Sequence, residues 1–262
     1  MPTDREPGAF YLARGQDRYR PTKHTAGPWD PNAQHFGPPS ALLVRALEDL
    51  PTDRERQLAR VTVEILGPAP LAELTVRARV ERPGRSVELL AAELAADGRT
   101  VARATAWRIT ASDTAAVAAG AAEPIPLPAD STAAWPPGFH GGYIDAMEWR
   151  VVAGGLDRPG PATVWVRQRV ALVEGERPTS LQRLFAMADS GSGVSNRLDP
   201  RQWLFINSEL TVHLHRLPSG SWTGMEADTI IGPSGLGTAS TRLYDASGQI
   251  GTGAQALLVR TR

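Results

Sequence analysis

The chain has 262 residues, 42% of them hydrophobic, enough for a well-packed core in one large domain or two intimate halves. Its 28 basic and 28 acidic side chains cancel, so no electrostatic footprint points to nucleic acid or to an anionic membrane surface. Cysteine is absent, which excludes a thiol nucleophile, a disulfide framework and a cysteine metal site.

Phe10–Ala13 reads as a short first strand. A helix is predicted from Pro38 to Leu50, with both prolines in the first turn, where a missing N–H costs little. The alternation Val61-x-Val63-x-Ile65 opens a set of three half-buried antiparallel strands, punctuated by turns at Arg82-Pro83-Gly84 and Asp97-Gly98. An Ala/Pro-rich stretch follows, and Pro124, Pro126, Pro128, Pro136 and Pro137 suit an extended linker because they fix φ and remove donors. Beyond it the order repeats. Strands are predicted over Tyr143–Val152 and Thr163–Val173, then a helix over Thr179–Ala188 capped by Thr179 or Ser180. Three strands close the chain, beginning with Leu210-x-Val212-x-Leu214 and turning at Pro218-Ser219-Gly220 and Ser247-Gly248. The expected organisation is a first module over 1–112, a linker over 113–135 and a second module over 136–262, of α+β class. The N-terminal stretch lacks an apolar core of signal-peptide length and no apolar run is long enough to span a bilayer, so a soluble, cytoplasmic protein is expected.

The two halves also align with each other. Ala91–Arg108 lies over Thr241–Leu258 at an offset of 150, which puts Asp97-Gly98 on Ser247-Gly248 and Thr105 on Gln255. Upstream the offset is 149, and Val61, Val63 and Ile65 meet Leu210, Val212 and Leu214. A period this long marks a duplicated domain, one copy of which is free to lose chemistry that the other keeps.

Several familiar sites are missing. Neither Ser190 nor Ser192 sits in a G-x-S-x-G elbow, and the chain has no Walker A loop and no complete G-x-G-x-x-G. His213 and His215 share a strand face but read as solvated rather than as metal ligands, and no metal or cofactor is expected. His35 and His140 read as loop histidines. Asp189 ends an apolar helical run (Leu181, Leu184, Phe185, Met187, Ala188), where the helix dipole disfavours a carboxylate. It is either a loop residue bonded to its own turn or a group placed there for chemistry. Gln255, a lone amide among Ile250, Ala254, Ala256, Leu257 and Leu258, either satisfies a backbone group or belongs to a site.

A helix with an antiparallel sheet, occurring twice, resembles the double hot-dog fold. The segments MADSGSG, FINSELTVHLHR, Trp222 and LYDASGQIGTGAQALLVR, with HFGPPSALLVRALE in the first half, resemble the acyl-CoA thioesterase II family and its thioesterase-like relatives over most of the chain. The resemblance implies a tandem double hot-dog, each half an antiparallel sheet wrapped around a central helix. It implies cofactor-free thioester hydrolysis, with Asp189 as general base on a water oriented by Gln255 and a third residue. The family's Thr is replaced here by Asn207, with Ser208 beside it. Strand alternation puts Ser208 on the buried face with Leu210 and Val212, so either residue fits the role. Backbone N–H groups near Gly37, Ser40 and Ala41 would receive the oxyanion, although Pro38 and Pro39 remove two donors. The partner implied is a small acyl-CoA-like thioester, its acyl chain in an Ala/Leu/Val-rich interior between the halves. No nucleic-acid or membrane partner is expected, and a homo-oligomer is compatible with the reading. Two other readings stand beside it. One is a non-catalytic acyl-binding module; the other is a hot-dog hydratase or dehydratase, which needs an Asp–His pair that the sequence does not display near His35 or His140.

Overall fold

A computed structural model describes residues 8–129 and 133–262. The first seven residues of the expected N-terminal module and positions 130–132 of the expected linker lie outside the described residues. The first half runs β1 (Ala9–Ala13), β2 (Arg18–Pro21), α1 (Gly37–Glu48), β3 (Arg56–Ile65), β4 (Leu74–Arg82), β5 (Val87–Ala96) and β6 (Arg99–Thr110). The second runs α2 (Gly142–Ala146), β7 (Met147–Ala153), β8 (Ala162–Gln168), β9 (Ala171–Val173), α3 (Ser180–Ala188) and α4 (Gly191–Val194). It ends with β10 (Trp203–Asn207), β11 (Glu209–Leu214), β12 (Trp222–Ile231), β13 (Leu236–Asp245) and β14 (Gly248–Thr261).

Three expectations change. Four strands, not three, follow α1, and five, not three, follow α3. The stretch expected as one strand from Tyr143 opens instead as the short helix α2, because Gly141 and Gly142 take left-handed φ values of 78° and 50° and turn the chain. Strands also dominate the described residues, so the balance of α and β is tilted further toward sheet than expected.

The strands form one continuous sheet in the order β7-β8-β12-β13-β14-β11-β3-β6-β5-β4-β2-β1-β9, with β10 also paired to β14. Each half supplies one side of it except that β9, from the second half, crosses to the far edge and pairs in parallel with β1; β3 and β11 meet at the seam. On the inner face, α1 packs on β4, β5 and β6, and α4 on β12, β13 and β14. Leu42, Leu43, Leu47 and Phe185 are fully buried there, each contributing about 1.5–3 kcal/mol of transfer free energy. Thr179 caps α3 through a capping box with Gln182 and also reaches Glu48 at the end of α1, which ties the two helices together.

The strand registers set the repeat at 149 throughout. Leu90 opposite Ala106 recurs as Ala239 opposite Gln255, and Thr62 opposite Thr105 recurs as Thr211 opposite Ala254. Register irregularities recur too, at Leu94/Ala95 and Leu243/Tyr244. The offset of 150 read from the hairpins is therefore corrected, and the counterpart of Gln255 is Ala106, not Thr105. The glycines misled because the two turns differ. The first hairpin turns on Asp97 and Gly98, both left-handed at φ 49° and 75°; the second turns on Ala246-Ser247 with its left-handed glycine, Gly248, one place later. At the seam Thr62 faces Thr211, its own counterpart, and their hydroxyls are 3.1 Å apart. The pairing is thus self-complementary, as in a two-fold interface.

Candidate active site

Asp189 stands at the break between α3 and α4, where Ser190 begins the second helix. Its carboxylate turns inward to three donors. Asn207 Nδ2 donates to Oδ1 at 2.7 Å, Gln255 Nε2 approaches the same oxygen at 3.4 Å and donates to the Asp189 carbonyl at 3.0 Å, and the Phe36 backbone N–H also donates to the carboxylate. Gln255 is itself fixed, because its Oε1 accepts the Ser192 N–H at 2.9 Å. That approach needs glycine at 191, where an added Cβ would stand 2.9 Å from Gln255 Oε1. Burial pushes the Asp189 carboxyl up to about 7, and the hydrogen bonds from Asn207, Gln255 and Phe36 pull against that rise. Asp189 therefore titrates near neutral pH, where a general base is effective.

The structure brings Asp189, Asn207 and Gln255 together, and a β-bulge decides between the two neighbours. Ser208 interrupts the ladder between β10 and β11 and breaks strand alternation, so Asn207 faces in with Phe205 while Leu210 faces in beyond it. Ser208 is exposed at the cavity edge, its hydroxyl 3.4 Å from the Ala256 carbonyl. The same bulge exists in the first half at Ala59, where β3 shifts register between Leu58 and Arg60.

The start of α1 behaves differently from the expectation. Gly37 lies so close to the end of α3 that an added Cβ would collide with the Ala186 carbonyl, and its N–H donates to His35 Nδ1 at 3.0 Å. Ser40 is buried, with its N–H and its hydroxyl both given to the Phe36 carbonyl. Neither residue lines the cavity, so their N–H groups are spent within the fold.

His35, read from sequence as a loop histidine, lies at the site. Its Nδ1 is 3.6 Å from Asp189 Oδ2, and its ring stacks on Tyr143 with centroids 3.7 Å apart and planes 2° from parallel. Tyr143 is anchored beneath it by hydrogen bonds to the Ala186 carbonyl at 2.8 Å and Ser190 Oγ at 2.9 Å. Burial pushes the imidazole down to about 3, so it is neutral at pH 7. No spacing rule links His35 to Asp189; only the packing of α1 against α3 makes them neighbours.

Beside this cluster opens a cavity of about 450 Å³. The expected Ala/Leu/Val lining is corrected to an aromatic one, built from Trp29, Phe36, Trp135, Phe139, Trp149 and Phe205. Trp29 meets Phe139 and Phe205 edge-to-face at 5.4 and 4.8 Å, and Trp135 meets Trp149 at 5.0 Å. These rings come from the loop before α1, the end of the linker, the turn before α2, β7 and β10. Among the described residues, no group of three or more His, Asp or Glu side chains is arranged to hold a metal ion.

The family model of the acyl-CoA thioesterase N-terminal domain matches residues 25–109, and that of the C-terminal domain matches residues 120–259. A hot-dog-fold protein of unknown function from Alicyclobacillus acidocaldarius is similar in structure, with a TM-score of 0.76 and 17% identity over 97% of each chain. An acyl-CoA thioesterase II from Mycobacterium marinum superposes with a TM-score of 0.66 and 14% identity over 96% of this chain and 95% of that one. A tesB protein from Mycobacterium avium subs paratuberculosis gives 0.66 and 15% over 95% and 96%. At such identities the likeness establishes the hot-dog fold. No curated protein matches the sequence. Matched by both domain models in order along its length, the chain belongs to the acyl-CoA thioesterase family.

Proposed function

We propose that this protein hydrolyses acyl-CoA-like thioesters by general-base attack of water. One observation carries the reading: a buried carboxylate titrating near 7, held by an amide from each of two strands and a backbone N–H, stands at the edge of an apolar cavity. Asp189 takes a proton from water, and Asn207 and Gln255 hold the carboxylate and its water in line with the thioester carbon. The aromatic walls take the acyl group and exclude bulk water. The working unit is read as two modules, 1–112 and 136–262, each a sheet around its own helix, joined by the linker 113–135. No helix among the described residues is long and apolar enough to cross a membrane.

A second reading, hydration of an enoyl thioester, gains the Asp–His pair that the sequence did not display. Its chemistry is disfavoured, because Nδ1 is occupied by the Gly37 N–H and the ring is held neutral, so it cannot relay a proton from Asp189. Both readings are tested by thiol release from a panel of acyl-CoA esters, run beside loss of enoyl absorbance with crotonyl-CoA and direct measurement of binding. Thiol release supports hydrolysis. Enoyl loss without thiol release would replace it by hydration, and binding without turnover would make the protein a non-catalytic acyl-binding module.

A further inference from the structure

We propose that His35 supplies the oxyanion donor of this site, giving a hydrogen bond from Nε2–H to the thioester oxygen as negative charge develops there. The proposal rests on the hydrolase reading and assigns a role that the start of α1 does not fill. The N–H groups of Gly37 and Ser40 are committed to His35 Nδ1 and the Phe36 carbonyl, and Pro38 and Pro39 have none to give. A hydrolase that generates an oxyanion needs another donor there.

The hydrogen bonds determine which nitrogen of His35 carries the proton. Nδ1 is 3.0 Å from the Gly37 nitrogen and 3.6 Å from Asp189 Oδ2; the first distance is a hydrogen bond and the second is too long for one. Gly37 N–H is a donor, so Nδ1 accepts, and the proton of the neutral ring sits on Nε2. The ring lines the cavity beside Asp189, and among the described residues no protein group accepts from Nε2. Stacking on Tyr143, itself doubly anchored, fixes the ring plane. The depressed imidazole pKa excludes a cationic proton donor at neutral pH, and the occupied Nδ1 excludes a second base. What remains is an oriented neutral N–H beside the water-activating carboxylate.

In the step so assembled, Asp189 removes the proton from water as the water oxygen bonds to the thioester carbon. The carbonyl π pair moves onto oxygen, which accepts a hydrogen bond from Nε2–H without taking its proton. When the carbonyl re-forms, the carbon–sulfur bond breaks, and the departing thiolate takes the proton from Asp189. Acid and thiol are the products, and His35 ends in the tautomer it began with.

Two amide variants separate this role from a structural one. In His35→Asn the side-chain oxygen can still accept from Gly37 N–H, but nothing reaches the place of Nε2. In His35→Gln the longer amide can present N–H near that place. Removing an oxyanion donor costs on the order of a hundred- to a thousand-fold in kcat. His35→Asn should therefore lose about that much with KM and melting temperature little changed, while His35→Gln recovers a large part of it. The acid limb of the pH profile, set by Asp189, should stay in place in both. Wild-type kcat in His35→Asn would overturn the proposal, as would equal losses in the two variants that follow their melting temperatures. Asp189→Asn is run in parallel. Its inactivity beside a fully active His35→Asn would sink this inference alone, whereas no thiol release by the unmodified protein would sink the hydrolase reading and His35 with it.

Discussion

The two halves keep the same backbone register and opposite chemistry. At equivalent ladder positions the second half has Asn207 and Gln255, and the first has Leu58 and Ala106. At the places of Phe205, which lines the aromatic cavity, and of Gly237 and Leu257, the first half puts Arg56, Glu88 and Arg108. There Arg108 forks onto Glu88 at 2.7 and 3.0 Å and onto the Leu50 and Pro51 carbonyls, and Arg56 pairs with the same carboxylate. A smaller cavity, about 230 Å³ and lined in part by Leu58, Ile109 and Leu214, occupies the corresponding position. The two copies thus share the bulges and the seam, but the first has apolar residues at the polar positions and an ion cluster where the second has Phe205, Gly237 and Leu257. Yet the first half is more than a wall, since His35 and the Phe36 N–H reach across to Asp189. The site belongs to the pair of modules.

Removing the proposed base tests the comparison hardest. Asp189→Asn should lower thioester hydrolysis by about a hundred- to ten-thousand-fold in kcat while ligand binding persists. Stability should move the other way. The folded pKa of Asp189, about 7, lies above the ordinary 3.8, so the wild-type fold is favoured by protonation and loses that contribution as pH rises toward and through 7. At pH 8 the variant should therefore be the more stable, by something on the order of 4 kcal/mol at most, and the gap should close near pH 4. A variant no more stable than the unmodified protein at pH 8 would mean that the carboxylate is not strained by burial. In the unmodified protein, kcat/KM should fall about tenfold per pH unit well below 7; a flat profile down to pH 5 would remove Asp189 as base.

Gln255→Ala makes the second half resemble the first at one position. It removes one hydrogen bond to a charged group, worth about 1.5–3 kcal/mol, so about ten- to a hundred-fold in rate is expected. Combined with Asp189→Asn the losses should be less than additive, because in the proposed mechanism both act on one water. Full additivity in the double variant would place Gln255 outside the site.

In the opposite half, Arg108→Ala should cost about 3 kcal/mol of stability by leaving Glu88 buried with only Arg56. Its kcat should be unchanged, and a selective loss of turnover would show that the ion cluster belongs to the chemistry. The smallest effect is expected at Thr105→Ala, on the outer face beside Arg60, with stability within about 0.5 kcal/mol and turnover intact. A loss comparable with Asp189→Asn would restore Thr105 as the counterpart of Gln255.

The sequence displayed its duplication, its two long helices and the polarity of Asp189 and Gln255, since each leaves a local trace: a repeat, an apolar run, a polar residue among apolar ones. By itself it determined that the chain would fold as two related modules and that the polar set would sit in the second. The structure alone decided the rest. Which of Asn207 and Ser208 faces in depends on a bulge, and a bulge is a property of two paired strands. That Gln255 answers to Ala106 depends on ladder register, which a shifted turn glycine disguised. His35 meets Asp189 because α1 and α3 pack antiparallel, the start of one beside the end of the other, and tryptophans from the loop, the linker and β7 share one cavity. Contacts between residues so distant in the chain carry no local signature, so tertiary packing alone assembles the site.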